Sequence, residues 1–276
     1  MLQHLLVATD LSPRADRSVA RAFDLAGRLG ARLTLLTVID EALPGDLARQ
    51  MQGGAEARLD QFAASHRGAQ DVRYEARAVI GDPVGAISAM AATEQVDLLV
   101  LGIHRPRPFL DILRETTMER IVRLQDCPVL LVTDPVDHPY STVLAAVDFA
   151  PASTHALSLA AELAPEAALH GVHAVHVPYK GYSPAAGVVG TAAPFLREAR
   201  DSYNLWRDQT TLPERLGEVE FIEGAAVSVV TTRAANLGCD LLCLGAHGRV
   251  GSAPAFLGSL ANDLIRTPPC DLLIAR

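Results

Sequence analysis

A chain of 276 residues is nearly twice the usual length of one domain, which favours two compact cores over one. Its 24 Lys and Arg against 32 Asp and Glu leave a net charge of -8, which argues against a dedicated binder of nucleic acid or of anionic membranes. Hydrophobic residues make up 49% of the chain, enough for buried sheets, yet no apolar run reaches the ~18 residues of a membrane span, so a soluble protein is expected.

The chain opens on MLQHLLVATD, which lacks the basic start, long apolar segment and small-residue cleavage site of an export signal. It reads as a first strand, and a cytoplasmic protein is the expectation. Strands are predicted near 3–9, 32–39, 71–79, 97–102 and 129–133, with helices near 14–29, 44–66, 83–94 and 116–124. TDPVDHPYS (133–141) has no periodicity and reads as a linker. Strands follow near 141–147, 170–177, 218–223, 240–245 and 271–275, and KGYSPAAGVVGTAAP reads as a loop from its Gly and Pro content. Runs such as DLLVLG and PVLLV are apolar without alternation, as in parallel strands covered on both faces. The rhythm is that of doubly wound α/β domains.

The chain also repeats itself. LLVATDLSP (5–13) reappears as VLAAVDFAP (143–151), an offset of 138. VDLLVLGIHRP (96–106) returns as CDLLCLGAHGR (239–249), Gly81 as Gly224 and Cys127 as Cys270, all offset by 143. Matching Thr37 and Val38 to His176 and Val177 gives an offset of 139, which places most of the extra length within 178–217. Two tandem domains are expected, residues 1–135 and 141–276.

Ligands of an open parallel sheet bind beyond the carboxyl ends of the strands, where strand order reverses. In the second copy those ends are Val147-Asp148 and Leu244-Gly245, the latter opening GAHGRVGSAPAFLGSLANDLIR. Two residues separate Gly245 from Gly248 and nine separate Gly248 from Gly258, and Ser259 follows. Glycines let a phosphate chain approach the backbone, and a helix beginning after Gly258, with Ser259 as cap and hydroxyl donor, would aim its amides at the charge.

With VATD (7–10), AAVD (145–148), the DLL-x-x-G ends of both fourth strands and the complete G-x2-G-x9-G-S of copy two, the whole chain resembles the universal stress protein family in its tandem form. The resemblance implies an α/β fold of two five-stranded parallel sheets in 3-2-1-4-5 order, and a pseudo-two-fold pairing of the halves through the fifth strands, PVLLV and DLLIA. It also implies ATP along the glycine loop. Asp148 would then contact adenosine and the main chain of Val177 would lie near adenine. Gly245, Gly248, Gly258, Ser259 and Leu260 would hold ribose and phosphates, with His247 at a contact position between the first two glycines. Arg249 could offset phosphate charge or be a solvated loop residue. Asp148 could equally be an N-cap of the helix that FAPAS begins, and the two roles can coexist. Magnesium, if present, is expected as a counter-charge on the triphosphate.

Copy one departs from this pattern. Gly102 is kept, but Arg105 replaces the second glycine, Glu115 the third and Thr116 the serine. A carboxylate at Glu115 opposes phosphate, so this site is expected to be degenerate, or else to use its arginines for another small anion. His170, His173 and His176 step by three along an extended segment and cannot converge on a metal. Cys127, Cys239, Cys243 and Cys270 form no C-x-x-C pair or disulfide framework and read as reduced, mostly buried thiols. Nucleophile-elbow, P-loop and dinucleotide signatures do not occur, so any ATP turnover should be slow and incidental. The leading reading is a nucleotide-responsive stress-protection or regulatory protein, working as a single chain or a homodimer. Its rivals are an ATP-using enzyme on the same architecture and a carrier of a different ligand, suggested by the apolar AAGVVGTAAPFL.

Overall fold

The computed structural model describes residues 2–12, 15–103, 116–177, 192–247 and 257–276. The first half runs β1 (His4–Ala8), α1 (Asp16–Leu29), β2 (Arg32–Asp40), α2 (Gly45–Ala64), β3 (Tyr74–Gly81), α3 (Pro83–Thr93), β4 (Leu98–Gly102), α4 (Thr117–Leu124) and β5 (Val129–Val132). The second repeats the order as β6 (Thr142–Ala146), α5 (Pro151–Leu163), β7 (Ala168–Val175), α6 (Ala193–Gln209), β8 (Leu216–Glu223), α7 (Ala226–Leu237), β9 (Leu241–Gly245), α8 (Ser259–Arg266) and β10 (Asp271–Ala275). Most predicted spans fall within a residue or two of these. The third strand starts later than expected because Gly68, at φ 86°, turns the chain into a short 3-10 helix, Ala69–Asp71.

Local chemistry punctuates the elements. Pro83 opens α3 where its missing N–H costs nothing, and the Asp82 carboxylate caps it by accepting from the Gly85 amide at 2.9 Å. Gly30 and Gly238 end α1 and α7 at φ 66° and 60°, where a side chain would be strained.

Strand order is β3-β2-β1-β4-β5-β10-β9-β6-β7-β8, so each half has the order 3-2-1-4-5 and the two join edge to edge. Every neighbouring pair is parallel except β5 with β10, whose antiparallel register sets Leu131 against Leu272 and Val129 against Ile274. The join hides the edge each half would otherwise expose. Successive strand residues go to opposite faces: Leu241 and Cys243 belong to the core layer that also holds residues of α1, α2 and α5, while Leu242 and Leu244 belong to the layer that holds residues of α3, α4, α7 and α8. Both faces are covered, which is why these strands show no polar alternation.

Polar contacts also tie the halves together. The buried Asp271 carboxylate accepts from the Thr133 amide at 2.7 Å, the Asp134 amide at 3.2 Å and the Tyr140 hydroxyl at 2.7 Å. Arg21 stacks over the Tyr140 ring and brings its Nε to 3.4 Å from Asp271, a charge contact rather than a hydrogen bond. Asp271 therefore clamps both ends of the expected linker onto β10. Burial pushes its carboxyl above the usual range in spite of these donors. Arg266 at the end of α8 pairs with the Glu119 carboxylate of α4 at 2.7 Å. Among the described residues no helix is long and apolar enough to cross a membrane.

Candidate nucleotide cleft

In the second half a cleft of about 250 Å³ opens beyond the carboxyl ends of β6 and β9, between α7 and the start of α8. This is the point where strand order reverses, with β6 flanked by β9 on one side and β7 on the other. Its walls include Asp148, His173, Ala174, Gly245, His247, Gly258, Ser259 and Leu260.

Asp148 ends β6 in a tight turn. Its Oδ1 accepts from the Ala150 amide at 3.0 Å while Phe149 takes φ 65°. Asp10 repeats the turn, accepting from the Ser12 amide at 3.0 Å with Leu11 at φ 59°. The N-cap of α5 is Ala150, so the capping role considered for Asp148 is replaced by this side-chain-closed turn.

Gly245 is glycine for a packing reason. A Cβ there would stand 2.7 Å from the Ser153 amide nitrogen and 2.9 Å from Ala152 Cβ, so β9 and the first turn of α5 could not approach as they do. Gly258 differs, since an added Cβ would meet Ala246 O only at 3.4 Å and φ -64°, ψ 154° suits any residue. As N-cap of α8 it brings no side chain, and no side-chain cap forms there among the described residues. The Gly258 amide donates to Ala246 O at 2.8 Å, and Ser259, Leu260 and Ala261 line the cleft at the positive end of the helix dipole.

Copy one handles the same helix start differently. At the N-cap of α4, the Thr116 hydroxyl accepts from the Glu119 amide at 3.2 Å and Glu119 Oε2 accepts from the Thr116 amide at 2.6 Å. This reciprocal box consumes the N-cap and N3 amides of α4; at α8 the N-cap amide goes to Ala246 O instead, and it is the N3 amide, that of Ala261, which no side chain takes up. Burial raises the Glu119 carboxyl, but the Arg266 guanidinium and the Thr116 donors outweigh it and hold the group below its usual range. The box is written in the sequence as T-x-x-E at 116–119, a signal passed over in the reading of copy one. The copy-one cleft, about 240 Å³, is lined mainly by apolar groups such as Leu36, Val38, Ile87, Leu101, Met118 and Ile121.

Two histidines face the copy-two cleft. His247 has a buried Nδ1 with no hydrogen-bond partner among the described residues. The His173 Nδ1 lies 2.7 Å from Val147 O, and its ring stacks on Phe149 at 4.5 Å. The sequence reading treated His173 only as a strand residue.

One expected member is displaced. Val177 lies beyond the end of β7 and does not line the cleft; Val172, His173 and Ala174 do. Strand register gives the reason: Leu5 pairs with Leu33 and the matching Val143 with Leu169, so the second strands correspond with an offset of 136, not 139. Thr37 and Val38 therefore match His173 and Ala174, and Val38 lines the equivalent cleft of copy one. Gly248 and Arg249, like Arg105 and Glu115 of copy one, lie outside the described residues. Asp148, Gly245, His247, Gly258, Ser259 and Leu260 are brought together. Among the described residues no three His, Cys, Asp or Glu side chains gather as a metal site would require.

Fold and cleft define the class: a tandem doubly wound α/β protein with a cleft at a switch point of its sheet. The model of the universal stress protein family matches residues 1–133 and again 139–276, and the chain belongs to that family. A universal stress protein from Archaeoglobus fulgidus superposes with a TM-score of 0.71 at 18% identity, covering 99% of this chain and 96% of that one. A putative universal stress protein from Pseudomonas aeruginosa gives 0.66 at 18% identity, with 99% and 93% covered. A putative universal stress protein of Staphylococcus haemolyticus is 27% identical over 156 residues, 53% of this chain and 94% of its own length.

Proposed function

We propose that residues 141–276 form a domain that binds one adenine nucleotide, ATP, in the cleft at the start of α8. In this reading residues 1–135 form a domain with a degenerate cleft and a chiefly structural role. The observation that carries it is the contrast between the two helix starts. At α8 no side chain caps the first turn and the N3 amide, Ala261, is left to the cleft, whereas at α4 the Thr116 hydroxyl takes the matching amide of Glu119. The His247 Nδ1, buried without a protein partner among the described residues, supports the same assignment.

Asp148 and His173 stand on the side of β6 and β7, where a nucleoside would lie, and the main chain of Ala174 takes the place first given to Val177. Ser259 and Leu260 contribute amides, and Ser259 a hydroxyl, toward phosphate oxygens. Gly248 and Arg249 complete the loop in this proposal, with Arg249 as counter-charge and magnesium arriving with the triphosphate. A bound nucleotide would make the chain a nucleotide-responsive regulatory or stress-protection protein of the cytoplasm. Calorimetric titration of the whole chain with ATP and magnesium tests it. One site per chain is expected, and two equivalent sites, or none, would overturn the division of labour between the halves.

A further inference from the structure

At the opposite end of the sheet from the cleft, Cys239 lies two residues before the start of β9 and Cys270 immediately precedes β10. These strands are parallel neighbours, with Leu241 paired to Asp271. The Cys270 thiol donates to the Cys239 sulfur at an S–S separation of 3.8 Å. Cys270 is buried, and Cys239 is half-buried with its sulfur 3.0 Å from Leu241 O. Copy one does not carry this pair: Cys127 matches Cys270, but Val96 stands where copy two has Cys239. Neither thiol has a part in the proposed nucleotide site.

We propose that Cys239 and Cys270 form a dithiol that a hydroperoxide oxidises to an intrachain disulfide. A disulfide needs its sulfurs ~2.05 Å apart, so the pair closes by about 1.8 Å, a distance side-chain rotation can supply. Access decides the order of events. The half-buried Cys239 sulfur, as thiolate, attacks the peroxide; the O–O bond breaks, leaving Cys239 sulfenic acid and a hydroxide or alkoxide that takes up a proton. The Cys270 sulfur then attacks Cys239, the S–S bond forms, the S–O bond breaks, and water leaves with the Cys270 proton. Two thiols give up two electrons and one peroxide is reduced. Hydrogen bonding to Cys239 and burial both push the Cys270 thiol far up, which keeps it protonated until Cys239 has reacted. The ring so closed, 239–270, contains β9 and α8 and therefore spans the segment that carries the cleft's glycines. Constraining that loop in the unfolded chain stabilises the folded one.

The test uses the full chain, treated with hydrogen peroxide under native conditions, alkylated and digested with trypsin. Cys239 and Cys243 leave together on peptide 234–249 and Cys270 on peptide 267–276. Expected are the loss of two hydrogens per chain, a linked pair of these peptides with fragmentation placing the bond on Cys239, and a thermal midpoint raised by roughly 5 °C that dithiothreitol reverses. Peroxide should leave the midpoint of Cys239→Ala unchanged, and that half-buried position keeps the test usable should Cys270→Ser not fold. Sulfinic acid on Cys239 without a link, a bond through Cys127 or Cys243, a bond between chains, or a peroxide shift that persists in Cys239→Ala would each overturn the proposal.

Discussion

Replacing Gly258 by glutamate moves into copy two the residue that copy one carries at the matching position, Glu115. The fold should accept it. A Cβ at 258 meets Ala246 O at 3.4 Å and His247 Cα at 3.7 Å, ordinary contacts, and the backbone at φ -64°, ψ 154° holds any L residue without strain. A carboxylate at a helix start is itself favourable by ~0.3–1 kcal/mol, so the unliganded protein should keep its midpoint or gain slightly. Binding should suffer. Each charge-assisted amide-to-phosphate contact is worth ~1.5–3 kcal/mol, and like charges about 5 Å apart repel by roughly 3 kcal/mol at an effective dielectric constant of 20. Losing one contact, or half of that repulsion, already exceeds the ~1.4 kcal/mol of a tenfold change. Calorimetric titration with ATP should show affinity down at least tenfold, and Gly258→Ala, which adds bulk without charge, should lose less. A Gly258→Glu protein with native circular dichroism and undiminished ATP affinity would refute the assignment of phosphate to the start of α8.

Gly245→Ala should behave in the opposite way to Gly258→Ala, because its Cβ would sit 2.7 Å from the Ser153 amide nitrogen; a loss of ~1–3 kcal/mol in urea unfolding is expected, and an unchanged midpoint would contradict the packing. Asp271→Ala leaves the Tyr140 hydroxyl without its buried acceptor and Arg21 without a buried counter-charge, which should cost ~3–5 kcal/mol and speed proteolysis at 133–140; equal stability would show the clamp to be unimportant. His4 is buried beside Thr34, Arg32 and Glu94, and burial, with the Arg32 charge, lowers its pKa below the ordinary 6.5 despite the Glu94 carbonyl and the Glu94 and Asp97 carboxylates. The unfolded chain then binds the proton first, so stability should fall as pH drops below about 6.5; urea midpoints between pH 7.5 and 5.5 should show this, with a shallower slope in His4→Gln, and an identical slope would refute it.

Much of the molecule was legible in the sequence because its strands are covered on both faces. HLLVA, LLVLG and LLCLG need no partner to be recognised as buried strands, and the glycines and prolines between them end one element and start the next. The repeat made the two halves visible, and the fourth-strand ends located Gly245 before any coordinate did. The capping box at 116–119 was also readable, as T-x-x-E, and it sets the first turn of α4 apart from that of α8.

Register was not readable in the same way. Along β7 the pattern VHAVHV resembles LTLLTV at an offset of 139, but the strand pairs at 136, and an odd difference turns the opposite face of every residue toward the cleft. Only hydrogen bonding to β6 and β8 chooses between these frames, which is how His173 and Ala174 came to face the cleft and Val177 did not. Contacts between residues distant in the chain were equally hidden. Glu119 with Arg266 and Asp271 with Arg21 meet because β5 and β10 pair and the two halves close on each other, and Cys239 meets Cys270 because β9 and β10 lie side by side. Local pattern determines what each segment becomes, since burial of its apolar face depends on its own spacing; which side chains then touch is decided by packing, which no single segment carries.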